Sequence, residues 1–168
     1  MTDRPGLIVI CDAGPVIHLD ELGCIDLLSS FSRVLIPVVV WQEVQRHRPN
    51  ALALPCLEKT SATKPEPPEL EALAVALSLH TGEWEAIRVA LEHPASVLLT
   101  DDTAARLAAG NLGIRVHGTV GVLVRAVRKG LRTKTDVLQI LRSIPISSSL
   151  HLKRSLLEAV IKQVEAHQ

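Results

Sequence analysis

The run from Leu7 to Cys11, Leu-Ile-Val-Ile-Cys, contains no polar position. A half-exposed strand alternates apolar and polar residues, whereas a strand with no alternation is covered on both faces, as inside a parallel sheet. Residues 33–36, 97–99 and 114–116 are further short strand-like segments, and helical patterns lie between them. Strands alternating with helices imply right-handed βαβ crossovers, and hence an α/β fold: a three-layer α/β/α sandwich with a central parallel sheet. At 168 residues and 47% hydrophobic, the chain has enough apolar side chain to fill one core of this kind.

The helical patterns can be placed. Pro15 suits the first turn of a helix over 15–30, and 38–47 puts Val40, Val44 and His47 on one face. Residues 48–68 are proline-rich and predict a loose connection with a short edge strand over 56–62. A helix runs from Pro67-Pro68 to about His80, Gly82 interrupts it, and Trp84 to Glu92 form another. The pattern then predicts helices over 104–109, over 120–129 with Thr119 as cap and Gly130 as stop, over 134–143, and from Ser149 to about Ala166 after a turn at 145–148.

Some classes are set aside early. No stretch reaches the ~18 apolar residues of a membrane span, and Met1 to Pro15 lacks the basic start and long apolar core of a secretory signal, so a soluble, cytoplasmic protein with no membrane partner is expected. Cys11, Cys24 and Cys56 are odd in number and spaced by 13 and 32 residues, which suits reduced thiols rather than disulfides or zinc. Net charge is zero, yet residues 1–102 carry a net −8 and residues 103–168 a net +8. Two such halves either attract each other or set an acidic site beside a cationic surface.

The acids fall at informative places. Ligands of open parallel sheets bind beyond the C-terminal ends of the strands. Asp12 follows the first strand, and the pair Asp101-Asp102 follows the 97–99 strand. Each, taken alone, reads first as the cap of the next helix, but two such strand ends open into one crevice if the strands are neighbours. Glu43 lies near the apolar face of its helix, where it either meets Arg46 or His47 or serves a site. Glu83 and Glu85 stand at a helix start, where they complement the dipole, and Glu83 shares the inward face with Ile87 while Glu85 points away.

In chain order, VICDAGPVIHL, VLIPVVVWQEV, HTGEWEAIRVA, VLLTDDTAARLA and IRVHGTVGVLVRAVRKG resemble the PIN-domain nucleases, most nearly the VapC-like toxins of prokaryotic toxin–antitoxin systems. The resemblance covers about residues 7–130, which divides the chain into a PIN-like domain over 1–132 and a C-terminal helical extension over 133–168 packed on the same domain. It implies a metal-dependent ribonuclease with an acidic site holding Mg²⁺ or Mn²⁺, RNA as substrate, a small antitoxin as partner, and it allows a homodimer. Carried over motif by motif, the catalytic residues are Asp12, Glu43, Glu83 and Asp102, and the metal ligands Asp12, Asp102, Glu83 and Asp101. Glu83 departs from the family, which usually has an aspartate there.

The donor chemistry agrees with that resemblance: carboxylates without Cys or His favour a hard cation with oxygen ligands. His18, His80, His93 and His117 show no metal spacing and read as structural or surface residues. With only Phe31, Trp41 and Trp84 as aromatics, phosphate contacts rather than base stacking would hold RNA. Arg106, Arg125, Arg128 and Lys129, with Arg132 and Lys134, are the basic residues nearest the acids in sequence, or else a solvated helix face. Two other readings stay open: a non-catalytic PIN-like RNA- or protein-binding module, and a receiver-like phosphoacceptor, which would need a lysine at a later strand end where 114–117 has none.

Overall fold

The computed structural model describes residues 6–167. Five strands form one parallel sheet: β1 (Ile8–Cys11), β2 (Arg33–Pro37), β3 (Leu57–Thr60), β4 (Val97–Leu99) and β5 (Arg115–His117), in the order β3-β2-β1-β4-β5. The apolar run that starts the chain is the central strand, with Val9 level with Val34 on one side and with Val97 on the other. Its lack of alternation has the expected cause, because both faces of the sheet are covered. Val9, Cys11, Val34, Ile36 and Leu99 point into one core, against α1 (Ala13–Glu21), α2 (Val38–His47) and α6 (Thr119–Arg128). Ile10, Leu35 and Leu98 point into the other, against α3 (Pro68–Ala76), α4 (Thr81–Glu92) and α5 (Thr103–Asn111).

The last two helices, α7 (Lys134–Ser147) and α8 (Arg154–Ala166), add Val137, Leu141, Ile144, Leu157 and Val164 to the first core. Fully buried Leu and Ile side chains of this kind each stabilise the fold by roughly 1.5–3 kcal/mol. Cys11 and Cys24 are buried free thiols and Cys56 a half-buried one. Burial pushes the Cys24 thiol up to about 11, with nearby Asp26 adding to the effect.

Several expected boundaries move, each for a local reason. The helix expected over 15–30 starts earlier, at Ala13 behind the Asp12 cap, and stops at Glu21 because Gly23 turns the chain with φ of 68°; a 3-10 segment, Ile25–Ser30, follows. Gly82 does not interrupt a helix. It lies in the first turn of α4, and the break comes at residues 77–80, where Ser78 takes a φ of 54°. Thr119 is the first residue of α6 rather than its cap, a place held by Gly118. Pro145 lies inside α7 instead of ending it, so α8 begins at Arg154 and not at Ser149. His47 is exposed rather than on the buried face of Val40 and Val44. Among the described residues, no helix is long and apolar enough to cross a membrane.

Candidate active site

The chain leaves β1 toward β2 on one side and later returns to place β4 on the other, so the sheet reverses its winding between β1 and β4. That reversal opens a crevice at the C-terminal strand ends. Asp12 sits there, its amide donating to the Leu99 carbonyl at 2.9 Å. Oδ1 of Asp12 accepts from the Ala13 amide at 2.8 Å and Oδ2 from the Thr100 hydroxyl at 2.9 Å. The same carboxylate therefore caps α1 and faces the crevice. Burial is the main force on it, pushing its pKa up to about 6 from 3.8; Glu83 and Glu43 add to the rise and the bonds from Ala13 and Thr100 oppose it.

Glu43 reaches the crevice from α2, whose Val40 and Val44 are anchored in the core. Gly82 lets α4 come close to α2 at this point. A Cβ there would lie 3.3 Å from Val40 Cγ2, 3.5 Å from Glu43 Oε2 and 3.9 Å from Asp12 Oδ1. The next residue, Glu83, accepts the His80 amide at 2.9 Å, and its carboxyl is raised by burial, with Asp102 and Glu43 contributing. Asp102 caps α5 through the Ala105 amide at 2.8 Å, and its own amide donates to the Thr100 hydroxyl at 3.2 Å. Asp12, Glu43, Glu83, Asp101 and Asp102 all line one cleft of about 310 Å³. Glu85 is absent from it, held by the Ala62 amide at 2.9 Å and by Arg88 at 2.9 Å.

Asp101 differs from its neighbours. Its oxygens accept the Thr119 amide at 2.7 Å, the Thr119 hydroxyl at 2.6 Å and a bond with His18 Nδ1 at 2.7 Å. Burial raises its carboxyl, but these donors outweigh burial and leave it below the usual value. Gly118 is required beside it, since a Cβ there would sit 2.5 Å from Asp101 Oδ1. Asp101 thus ties together β4, α1 and α6, and three of its roughly four lone pairs are committed to that bracket.

Residues without a sequence signal complete the cleft. Thr100 links Asp12 to Asp102, while His18, His80, Leu150 and His151 form parts of the wall. Of the histidines expected to be structural or surface residues, His18 is half-buried, bonds to Asp101 and borders the cleft, as His80 does. Among the described residues, no three His, Cys, Asp or Glu side chains stand close enough together to enclose a metal ion.

The basic residues do not form one strip. Arg106 lies beside the cleft, its Nη1 donating to the Thr100 carbonyl at 3.2 Å. Arg128 and Lys129 are exposed at the end of α6. Arg125 is half-buried, stacked on Phe31 with its guanidinium 4.3 Å from the ring centre and bonded to the Ser30 hydroxyl at 2.6 Å. Arg132 pairs with Asp26 at 2.6 Å, and Lys134 donates to the carbonyls of Glu165 and His167.

Acids gathered at the switch point of a doubly wound parallel sheet line the crevice where such folds bind ligands, and the family comparison narrows the class. The family model DUF3368, a PIN domain, matches residues 8–166. The chain belongs to the PIN-domain family, whose members are generally nucleases. No curated protein matches it.

Proposed function

We propose that this chain is a Mg²⁺- or Mn²⁺-dependent ribonuclease that hydrolyses RNA phosphodiester bonds, and that it is the toxin of a type II toxin–antitoxin pair whose small antitoxin covers the cleft. The observation that carries the enzymatic reading is the convergence of four carboxylates from four separate segments on one crevice, with Asp12 and Glu83 both raised by burial and by their acidic neighbours. Like charges gathered away from water are costly unless a cation joins them.

The donor set fits a hard divalent ion, since Asp12, Glu43, Glu83 and Asp102 offer only oxygen, and we assign the ligand role to these four. Asp101, spoken for by Thr119 and His18, positions the cleft instead. When bound, the cation supplies charge neutralisation at the scissile phosphate and an acidified water. The chain's own part is to orient that site: Thr100 fixes Asp12 and Asp102 relative to each other, and Gly82 admits Glu43 and Glu83 to the same space. Arg106, Arg128 and Lys129 would meet phosphates of the RNA, with Arg125 set deeper.

A non-catalytic PIN-like module is the second reading, favoured by the spacing of the acidic side chains, no three of which, among the described residues, stand close enough together to enclose a metal ion. Calorimetric titration with Mg²⁺ and Mn²⁺, together with RNA cleavage with and without EDTA, separates the two. The proposal expects saturable metal binding lost in Asp12→Asn, and cleavage abolished by EDTA, by Asp12→Asn and by Asp102→Asn. Cleavage that survives EDTA, or a parent chain that binds neither ion, would overturn it.

A further inference from the structure

The edge strand β5 and helix α6 enclose a second cavity, of about 160 Å³, whose walls carry Arg115, His117, Arg125 and Arg128 over an apolar floor including Phe31 and Val97. Among the described residues, none of these three arginines pairs with a carboxylate, whereas six other arginines do. Two of them are held in place by neutral partners: Arg125 by Phe31 and Ser30, and Arg115 by the Ala95 carbonyl at 2.6 Å. A guanidinium has five N–H donors, so both keep donors to spare. Burial lowers the pKa of Arg125, with Arg128 adding to it, and burial lowers His117, with Arg106, Arg128 and Arg115 adding to it. Cations brought this close without a counter-charge repel one another, and an oxyanion among them removes the penalty.

We propose that this pocket binds a phosphate group of the nucleic-acid strand, flanking the one that enters the acidic cleft. The proposal rests on the nuclease reading for the identity of that strand. Its volume lies below the ~300–1,000 Å³ of small-molecule sites, so it admits a phosphate and not a whole nucleotide. His117 lines this pocket and Thr119 holds Asp101 at the cleft; the two Cα atoms lie at most about 7.6 Å apart along the chain, so the walls of the two sites meet at the start of α6. The forked guanidinium groups match phosphate oxygens in geometry as well as charge.

The test uses the full chain carrying Asp12→Asn to prevent cleavage, with Arg115→Gln and Arg128→Gln added singly and together; Arg125 is left intact because it packs on Phe31. Binding of a short labelled single-stranded RNA is followed by anisotropy across a range of KCl, and inorganic phosphate by calorimetry. Each substitution should lower the salt slope by about 0.7, and the pair should abolish phosphate binding. Arg142→Gln, which breaks only the exposed pair with Glu165, should change neither. An unchanged slope with phosphate binding retained overturns the proposal even if the parent cuts RNA. Loss of both phosphate and RNA capture in the pair sustains it even if the parent cuts nothing. Capture of a Glu-rich peptide that the pair abolishes, with RNA binding untouched, overturns it in favour of a protein ligand.

Discussion

Asp12 and Asp101 lie at the ends of the neighbouring strands β1 and β4, and their carboxyls are driven in opposite directions: burial wins at Asp12, pushing it up to about 6, while the donors from His18 and Thr119 win at Asp101 and lower it. The two should therefore report opposite pH dependences. A carboxyl whose pKa is higher in the folded than in the unfolded chain binds its proton more tightly when folded, so stability falls as pH rises from about 4 through about 6. In EDTA, Asp12→Asn should gain on the order of 2 kcal/mol at pH 7, since asparagine keeps an acceptor for the Ala13 amide and carries no buried charge. The gain should vanish by about pH 4, in urea melts run across that range.

For Asp101 the sign reverses. Its pKa is lowered, so its contribution is present above the ordinary value of 3.8 and is lost as pH falls through the lowered folded value. Asp101→Asn puts an amide where three donors converge, and should cost about 2–3 kcal/mol at neutral pH. The deficit against the parent should shrink on acidification. Equal stability of the two proteins at pH 7 would show that the bracket to α1 and α6 contributes nothing.

Asp101 also marks where the sequence ceased to be readable. The sheet was legible because Leu7 to Cys11 has no polar position, and such a run tolerates only a doubly covered strand. The strand-end acids were legible for the same reason, once β1 and β4 proved to be neighbours. The bracket was not, because His18 and Thr119 lie 83 and 18 residues from Asp101 and neither pairing has a local pattern. Thr119 has the residue type of a helix cap, yet its hydroxyl is taken by Asp101 and the cap falls to Gly118, the one residue whose missing Cβ leaves room for that carboxylate. Likewise Pro145 suggested a turn, but the surrounding packing of Leu141 and Ile144 carries α7 past it.

Glu21, three residues beyond His18 in α1, is an analogous device. It stands at the helix C-terminus, where the dipole disfavours an anion, and accepts the Ser149 amide at 2.8 Å and the Ser148 and Ser149 hydroxyls at 2.9 and 3.0 Å. Burial raises its carboxyl, but these serine donors, with His18 nearby, outweigh that and lower it. The clamp holds the segment between α7 and α8 that carries Leu150 and His151 to the cleft wall. Glu21→Ala should speed hydrogen exchange at the amides of Ser149 and Leu150 by tenfold or more, a loss of roughly 1.4 kcal/mol of local protection, with little change in the central strands. Exchange at the parent rate would show the clamp to be idle.

Glu83 and Glu85 provide the sharpest test of the acidic cleft, being two positions apart on one helix with different commitments. Glu83 stands one turn before the buried Ile87 and borders the cleft; Glu85 is about 200° further round, occupied by the Ala62 amide and by Arg88. Glutamine at 83 keeps an acceptor for the His80 amide, so Glu83→Gln should fold as the parent does while losing the charge. If the carboxylate serves the proposed cation, cleavage should fall roughly 100-fold and metal affinity with it. Glu85→Gln keeps the bond from Ala62 and forfeits the ion pair with Arg88, so it should cost up to about 1 kcal/mol in stability and leave cleavage within a few-fold of the parent. Single-turnover cleavage at saturating Mg²⁺, paired with thermal melts of both variants, reads the two effects separately. A larger loss of cleavage in Glu85→Gln than in Glu83→Gln would mean that the carboxylate exposed to the cleft is not the one the reaction uses.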